Sequence, residues 1–166
     1  MFRRHGAAVL SSDAVVHDLY AEDARVRGAV AERFGTTDRA RIAELVFTDP
    51  GELAWLEQLL HPLVRERYAA WLEQVETPVA VVEIPLLYET GADALFDAVV
   101  VITAPAELRE SRRGGSVAER SSRLIPDMEK VDRADFSYVN DGSLGDLDAF
   151  VQAVLQRLRT DSESDA

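Results

Sequence analysis

Apolar positions along the chain follow two rhythms. Unbroken short runs at 7–11 (AAVLS), 79–84 (VAVVEI) and 98–102 (AVVVI) read as strands covered on both faces, the habit of parallel sheets. A weaker strand, FSYVN, ends at Asn140-Asp141-Gly142. The remaining chain repeats its apolar residues every three or four positions, the period of an amphipathic helix. Residues 13–20 and 22–34 have this spacing, with Gly35 as a stop. Asp38 is placed to cap a helix running to about Phe47, and Asp49-Pro50 to open a long one to about residue 75. Leu53, Leu56, Leu59, Leu60, Leu63 and Val64 form the apolar stripe of that long helix. PLLYETGADALF (85–96) reads as a loop and short helix, and 144–159 as a final amphipathic helix.

Strands alternating with helices predict an α/β fold with a mainly parallel sheet flanked by helices. The helical stretch at about 14–75 is too long for a simple crossover, so it reads as a helical subdomain inserted beside the sheet, the usual place for a substrate cap. No repeat and no Pro/Gly-rich linker divides the chain. A single domain is expected over 1–160, followed by a disordered acidic tail at 161–166.

Composition narrows the classes of function. The chain has 166 residues, 47% of them apolar but only 7% aromatic, so the core must be built from Ala, Val and Leu. A net charge of −12 repels phosphate backbones and argues against a nucleic-acid or anionic-membrane binder. The absence of cysteine removes disulfides, thiolate zinc sites and cysteine nucleophiles. His5, His17 and His61 are too scattered for a zinc motif. No apolar run reaches the roughly 18–20 residues of a membrane span, and the start lacks a signal-peptide core. A cytoplasmic protein is expected, and nothing in the pattern speaks to its oligomeric state.

The positive charge has its own pattern. Of eighteen basic side chains only Lys130 is a lysine, so chemistry needing a lysine must use it or do without. Arg109, Arg112, Arg113, Arg120 and Arg123 crowd one short stretch against Glu110 and Glu119. Such a stretch is either a solvated helix face with its loop or a phosphate-facing lid, since arginine pairs bidentately with phosphate oxygens. Ligands of open parallel sheets bind beyond the carboxyl ends of the strands. Asp13, Glu83 (with Glu89 just after), Thr103 and Asn140 stand at those ends. Paired carboxylates there suit metal-bound phosphate or activation of a hydroxyl, although an Asp that opens a helix is also an ordinary cap.

At this point a resemblance emerges. SSD at 11–13, ERFG at 32–35, DRARIAELVF at 38–47, HPLVR at 61–65, VVEIPLLYETG at 81–91, FDAVVVITAP at 96–105 and ADFSYVNDGS at 134–143 follow the order of the dephospho-CoA kinase family. The chain resembles that family from about residue 2 to 158. The resemblance implies a P-loop kinase that moves the γ-phosphoryl group of ATP, with Mg2+, to the ribose 3′-hydroxyl of dephospho-CoA in the last step of coenzyme A synthesis. It implies Asp13 as the base. His61 and Arg65 would border the acceptor site together with Glu89, and Glu83 could order magnesium through water in a position where the family usually has Asp. Arg112 and Arg120 would be phosphate-contacting members of a lid at about 112–126, and Asn140 would lie beside adenine.

The family opens with a strand and GxxxxGK[ST], and neither is found in these 166 residues. MFRRHGAAV looks like the end of the helix that follows that loop. A reading frame started at an internal methionine is the expected explanation, with true loss of the loop as the other. The backbone amides, lysine and hydroxyl that hold donor phosphates in such kinases have no counterpart here. Two other functions fit the pattern: a non-catalytic fragment of such a kinase, or a related nucleotide or nucleoside kinase.

Overall fold

Parallel strand pairing organises both parts of the chain. The structure, a computed structural model, describes residues 1–113 and 124–164. They divide into two compact units, Ala8–Ile84 and Met1–Ala7 with Pro85–Ala166.

In the first unit β1 (Ala8–Ser11) pairs in parallel with β2 (Ala80–Glu83), in a register from Ala8 opposite Ala80 to Ser11 opposite Glu83. Parallel partners need a crossover, and here it holds four helices: α1 (Ser12–Glu22), α2 (Ala24–Phe34), α3 (Arg39–Thr48) and α4 (Pro50–Leu72). All four helices lie within this unit. Its turns are set by aspartate caps. Asp23 accepts from the backbone N–H of Arg25 and Val26, Asp38 from those of Ala40 and Arg41, and Asp49 from those of Gly51 and Glu52. Each satisfies N–H groups that a helix start leaves open. Asp23 explains why the second helix begins at Ala24 rather than at the expected residue 22. Its hydrogen bond from the Arg25 side chain, helped by the backbone bonds, lowers its pKa to about 2. Gly35 ends α2 with φ 68°, a left-handed conformation that suits glycine.

α4 packs on α1 and α3 and continues past Pro62. Leu19, Val26, Val30, Ile42, Leu56, Leu60, Val64 and Tyr68 are buried among these helices. Arg33 ties α2 to α4 with a two-armed bond to Glu52, at 2.8 and 2.9 Å, and lies over the Trp55 ring. The Phe34 and Trp55 rings meet edge to face.

In the second unit β3 (Val100–Thr103) pairs in parallel with β4 (Phe136–Val139). Its crossover contains α5 (Ala106–Arg113) and α6 (Asp127–Arg133), and α7 (Leu144–Ser164) follows β4. A short 3-10 turn at Phe2–His5 packs on α7. Arg4 and His5 both reach Asp148, and the Arg159 guanidinium donates to the His5 carbonyl. α7 supplies the buried Val151, Val154 and Leu155, and Phe150 stacks on Tyr138 of β4.

Three expectations change. The four strands among the described residues are each four residues long, shorter than the apolar runs, and β1 and β3 begin later than expected, at Ala8 and Val100. α6 was not anticipated; its polar sequence DMEKVDR carries no apolar stripe. α7 continues to Ser164, taking in four residues of the tail expected to be disordered. The Arg157–Asp161 pair, four residues apart, and the Thr160 hydroxyl bonded to the Gln156 carbonyl support that extension. Among the described residues no helix is long and apolar enough to cross a membrane.

Leu19 is 1% exposed at the centre of the helical packing. Leu19→Ala should cost about 2–5 kcal/mol through lost burial and the cavity left behind, whereas Asp38→Ala, which removes one cap, should cost about 1 kcal/mol. Urea unfolding of the two variants beside the parent measures the difference.

Candidate active site

The β1–β2 register brings two carboxylates to one edge. Ser11 is opposite Glu83, and Asp13 follows Ser11 by two residues in the first turn of α1. Both side chains are exposed, and among the described residues neither has a hydrogen-bond or ion-pair partner. Asp13 is not the cap of its helix. The N-cap is Ser11, with no side-chain capping bond, and Asp13 is the second helical residue. The ordinary structural explanation for an Asp at a strand-to-helix junction is therefore absent. What remains is a solvent-facing carboxylate held by rigid backbone at a strand end, able to accept a proton.

His61 and Arg65 lie one turn apart on α4, so they share a face. His61 is half-buried and Arg65 exposed. Tyr68, the next residue on that face, is buried. Its phenol pKa is raised by burial, and the Arg65 charge opposes that shift.

The second unit has its own strand-end group. Thr103 closes β3, and its carbonyl accepts from the Asn140 N–H at 2.8 Å, extending the β4 pairing by one step. Asn140 is half-buried there. Glu89 is in a different setting from the open Asp13. Its Oε1 lies 2.6 Å from Lys130 Nζ and accepts from the Ile125 N–H at 3.1 Å. The two side chains are 11% and 17% exposed. Burial pushes the Glu89 carboxyl up, but the Lys130 ammonium and the backbone donors outweigh it, and its pKa is lowered. Its Oε2 is buried without a hydrogen-bond partner among the described residues. Lys130, the one lysine, is thus committed to a carboxylate.

Neighbouring ion pairs reinforce the same region. Arg109 joins Asp127 at 2.8 Å, linking α5 to α6. Arg133 bonds Asp93 and lies 4.1 Å from the centre of the Tyr88 ring. Arg112 lies in the last turn of α5, with its side chain outside the described residues. Arg120, Arg123 and most of the expected lid lie outside them altogether.

Sequence reasoning located the strand-end residues but missed two side-chain arrangements. One is Glu89–Lys130, whose only signal was the solitary lysine. The other is Arg39, whose guanidinium donates to His17 Nδ1 at 2.6 Å and lies over the Tyr20 ring.

Residues 1–146 match the family model described as dephospho-CoA kinase. The chain belongs to the dephospho-CoA kinase family. Among curated relatives, the dephospho-CoA kinase of Brucella melitensis is 38% identical, over 89% of this chain and 80% of its own length. That of Cereibacter sphaeroides is 34% identical, covering 99% and 89%. The crystal structure of TT1252 from Thermus thermophilus superposes with a TM-score of 0.75 at 35% identity, over 94% of this chain and 87% of the other. Dephospho-CoA kinase from Campylobacter jejuni shares the fold, with a TM-score of 0.69 at 24% identity, covering 96% and 89%. The parallel strands flanked by helices thus have the α/β fold of this family, as the sequence led us to expect. In this kinase family member Asp13, unpaired among the described residues, and the buried Glu89–Lys130 pair are two distinct uses of acidic residues.

Removing one partner of a buried ion pair leaves the other charge uncompensated. Lys130→Met should therefore destabilise the chain by about 3 kcal/mol, and adding Glu89→Leu should recover much of that loss. Because the folded pKa of Glu89 is lowered, the pair's contribution is fully present above the ordinary glutamate range. It is lost as pH falls through the lowered folded value. The stability gap between the parent and Glu89→Gln should accordingly narrow in acid, as read by denaturant unfolding at a series of pH values.

Proposed function

We propose that this chain is a dephospho-CoA kinase, transferring the ATP γ-phosphoryl group to the ribose 3′-hydroxyl of dephospho-CoA in the cytoplasm. The observation that carries the reading is Asp13. It is a solvent-facing carboxylate without a capping role, at the end of a parallel strand and beside Glu83, in a chain of this family.

In the proposed reaction the Asp13 carboxylate accepts the proton of the 3′-hydroxyl as that oxygen forms its bond to the γ-phosphorus. The bond from the γ-phosphorus to the bridging oxygen breaks on the opposite side, and ADP leaves with the electron pair. Fixing the hydroxyl beside a base on rigid backbone supplies the positional part of the rate. His61 and Arg65, sharing a face of α4, serve the acceptor. Glu89 acts from within the second unit, where its bonds to Lys130 and the Ile125 N–H hold the chain at the end of the Arg-rich stretch. Arg112, Arg120 and Asn140 serve the donor nucleotide.

The residues also fit magnesium. Asp13 and Glu83 are hard oxygen donors at one strand edge, while no cluster of three or more metal-ligating side chains is gathered among the described residues. That donor set suits an ion held largely through water and substrate phosphates, as magnesium commonly is. There the ion would supply positive charge against the negative charge of the donor phosphates. Lys130 is not assigned a phosphate, because its ammonium is spent on Glu89.

The test is a coupled ADP-release assay on protein expressed from the full reading frame, with any in-frame codons upstream of Met1 included. Dephospho-CoA, adenosine and AMP are offered as acceptors. Turnover of adenosine or AMP with none of dephospho-CoA would overturn the assignment. Asp13→Asn should lower kcat by roughly 10²–10⁴ while KM changes little, since Asn keeps the size of the side chain. A variant with near-parental kcat would remove Asp13 from the chemistry.

A further inference from the structure

Arg39 differs from the other arginines of the first unit whose partners are known. Arg25, Arg33 and Arg41 each meet a carboxylate. Arg39, at the start of α3 and exposed, instead donates Nη1–H to His17 Nδ1 at 2.6 Å and lies 5.3 Å from the centre of the Tyr20 ring. A guanidinium has no acceptor, so His17 Nδ1 is the accepting atom of this bond. The guanidinium is therefore fixed in orientation by one hydrogen bond and one aromatic face, and neither neutralises it. Among the described residues its Nε and Nη2 donors have no partner. An exposed contact of this kind stabilises a fold little, and in a chain of net charge −12 an uncompensated, pre-oriented fork is a ready anion ligand.

Its position follows from α1. Asp13, His17 and Tyr20 are spaced four and three residues apart, so they line one face of the helix. At 1.5 Å per residue, His17 is about 6 Å and Tyr20 about 10 Å along the axis from Asp13. Arg39 is thus displayed one to two turns beyond the carboxylate that faces the reacting hydroxyl. A ribose ring and the phosphates on its 5′-oxygen extend over a comparable length. We propose that Arg39, oriented by His17 and Tyr20, binds the 5′-diphosphate of the acceptor and so selects a nucleotide-diphosphate ester over a bare nucleoside. This rests on the proposed kinase reading and adds to it the residue that recognises the acceptor's charge. Arg39 is the ligand; His17 and Tyr20 are positioning residues.

The experiment measures dephospho-CoA binding to the 166-residue chain by calorimetry and adenosine binding by ligand-observed NMR. Parent, Arg39→Met, Arg39→Lys, His17→Leu and His17→Asn are compared, each checked for folding by circular dichroism. Arg39→Met should weaken dephospho-CoA binding about tenfold to a hundredfold, the scale of a lost charged hydrogen bond, and leave adenosine binding unchanged. Arg39→Lys, which keeps the charge but loses the planar fork, should lie between, and it carries the test if Arg39→Met does not fold. His17→Leu should weaken binding as well, and His17→Asn, whose amide oxygen can replace Nδ1 as acceptor, should restore it. Unchanged dephospho-CoA affinity in folded Arg39 variants, or an equal loss for adenosine, would overturn the proposal while leaving the kinase reading intact. A parent chain that binds no dephospho-CoA would overturn both.

Discussion

The parallel pairing of β1 with β2 is the constraint on which the first unit depends. Ala8 meets Ala80, so everything between them must leave the carboxyl end of one strand and return to the amino end of the other. The intervening helices are the consequence. So is the location of chemistry, because a parallel register puts the ends of both strands on the same edge. Ser11 opposite Glu83 is what sets Asp13 and Glu83 at the same edge. A slip of one residue would turn the side chains of β2 to the opposite faces of the sheet and separate the carboxylates. Burial of Leu19, Ile42 and Leu60 stabilises the helices that fill the crossover, and through them the register itself.

Much of this was legible because the relevant signals are local. Aspartates at 38 and 49 announced two helix starts, Gly35 announced a stop, and apolar runs announced the strands. Each rests on a neighbour-to-neighbour rule of capping or periodicity, and each was found in place. α6 escaped because it is a short polar helix tied down by side-chain bonds: Lys130 to Glu89, Asp127 to Arg109 and Arg133 to Asp93. Such long-range partners leave no periodic trace. The same limit applies at the candidate site. Strand ends pointed to Asp13, Glu83 and Asn140 without any knowledge of contacts. That Asp13 is free of capping while Glu89 is locked to a lysine could be learned only from the fold.

The two carboxylates show how environment divides one residue type between roles. Asp13 is exposed in the first turn of α1 and, among the described residues, unpaired. Glu89 is nearly buried, with one oxygen shared between an ammonium and a backbone N–H. The first can meet a substrate without giving up any bond of the fold. The second ties α6 to the loop after β2 through its bonded oxygen. A base must be the former kind, and a brace the latter.

Net charge poses a problem for a kinase whose two substrates are anions, because a field of −12 disfavours their approach. At physiological salt, however, charges beyond about 8 Å are screened, so the local constellation decides whether phosphate is held. Most acidic residues therefore matter less to a bound phosphate than one cation at contact distance. Arginines neutralised by Asp or Glu add little to such a constellation, and the solitary lysine is among the neutralised cations. The cations that count are those held in place by something other than a carboxylate. Among the arginines with known partners in the first unit, Arg39 is held that way, by an imidazole nitrogen and an aromatic ring, so that it keeps its charge while losing its freedom. A chain can thus be strongly acidic overall and still offer an anion a rigid, uncompensated donor, provided the residue that orients the cation does not also neutralise it.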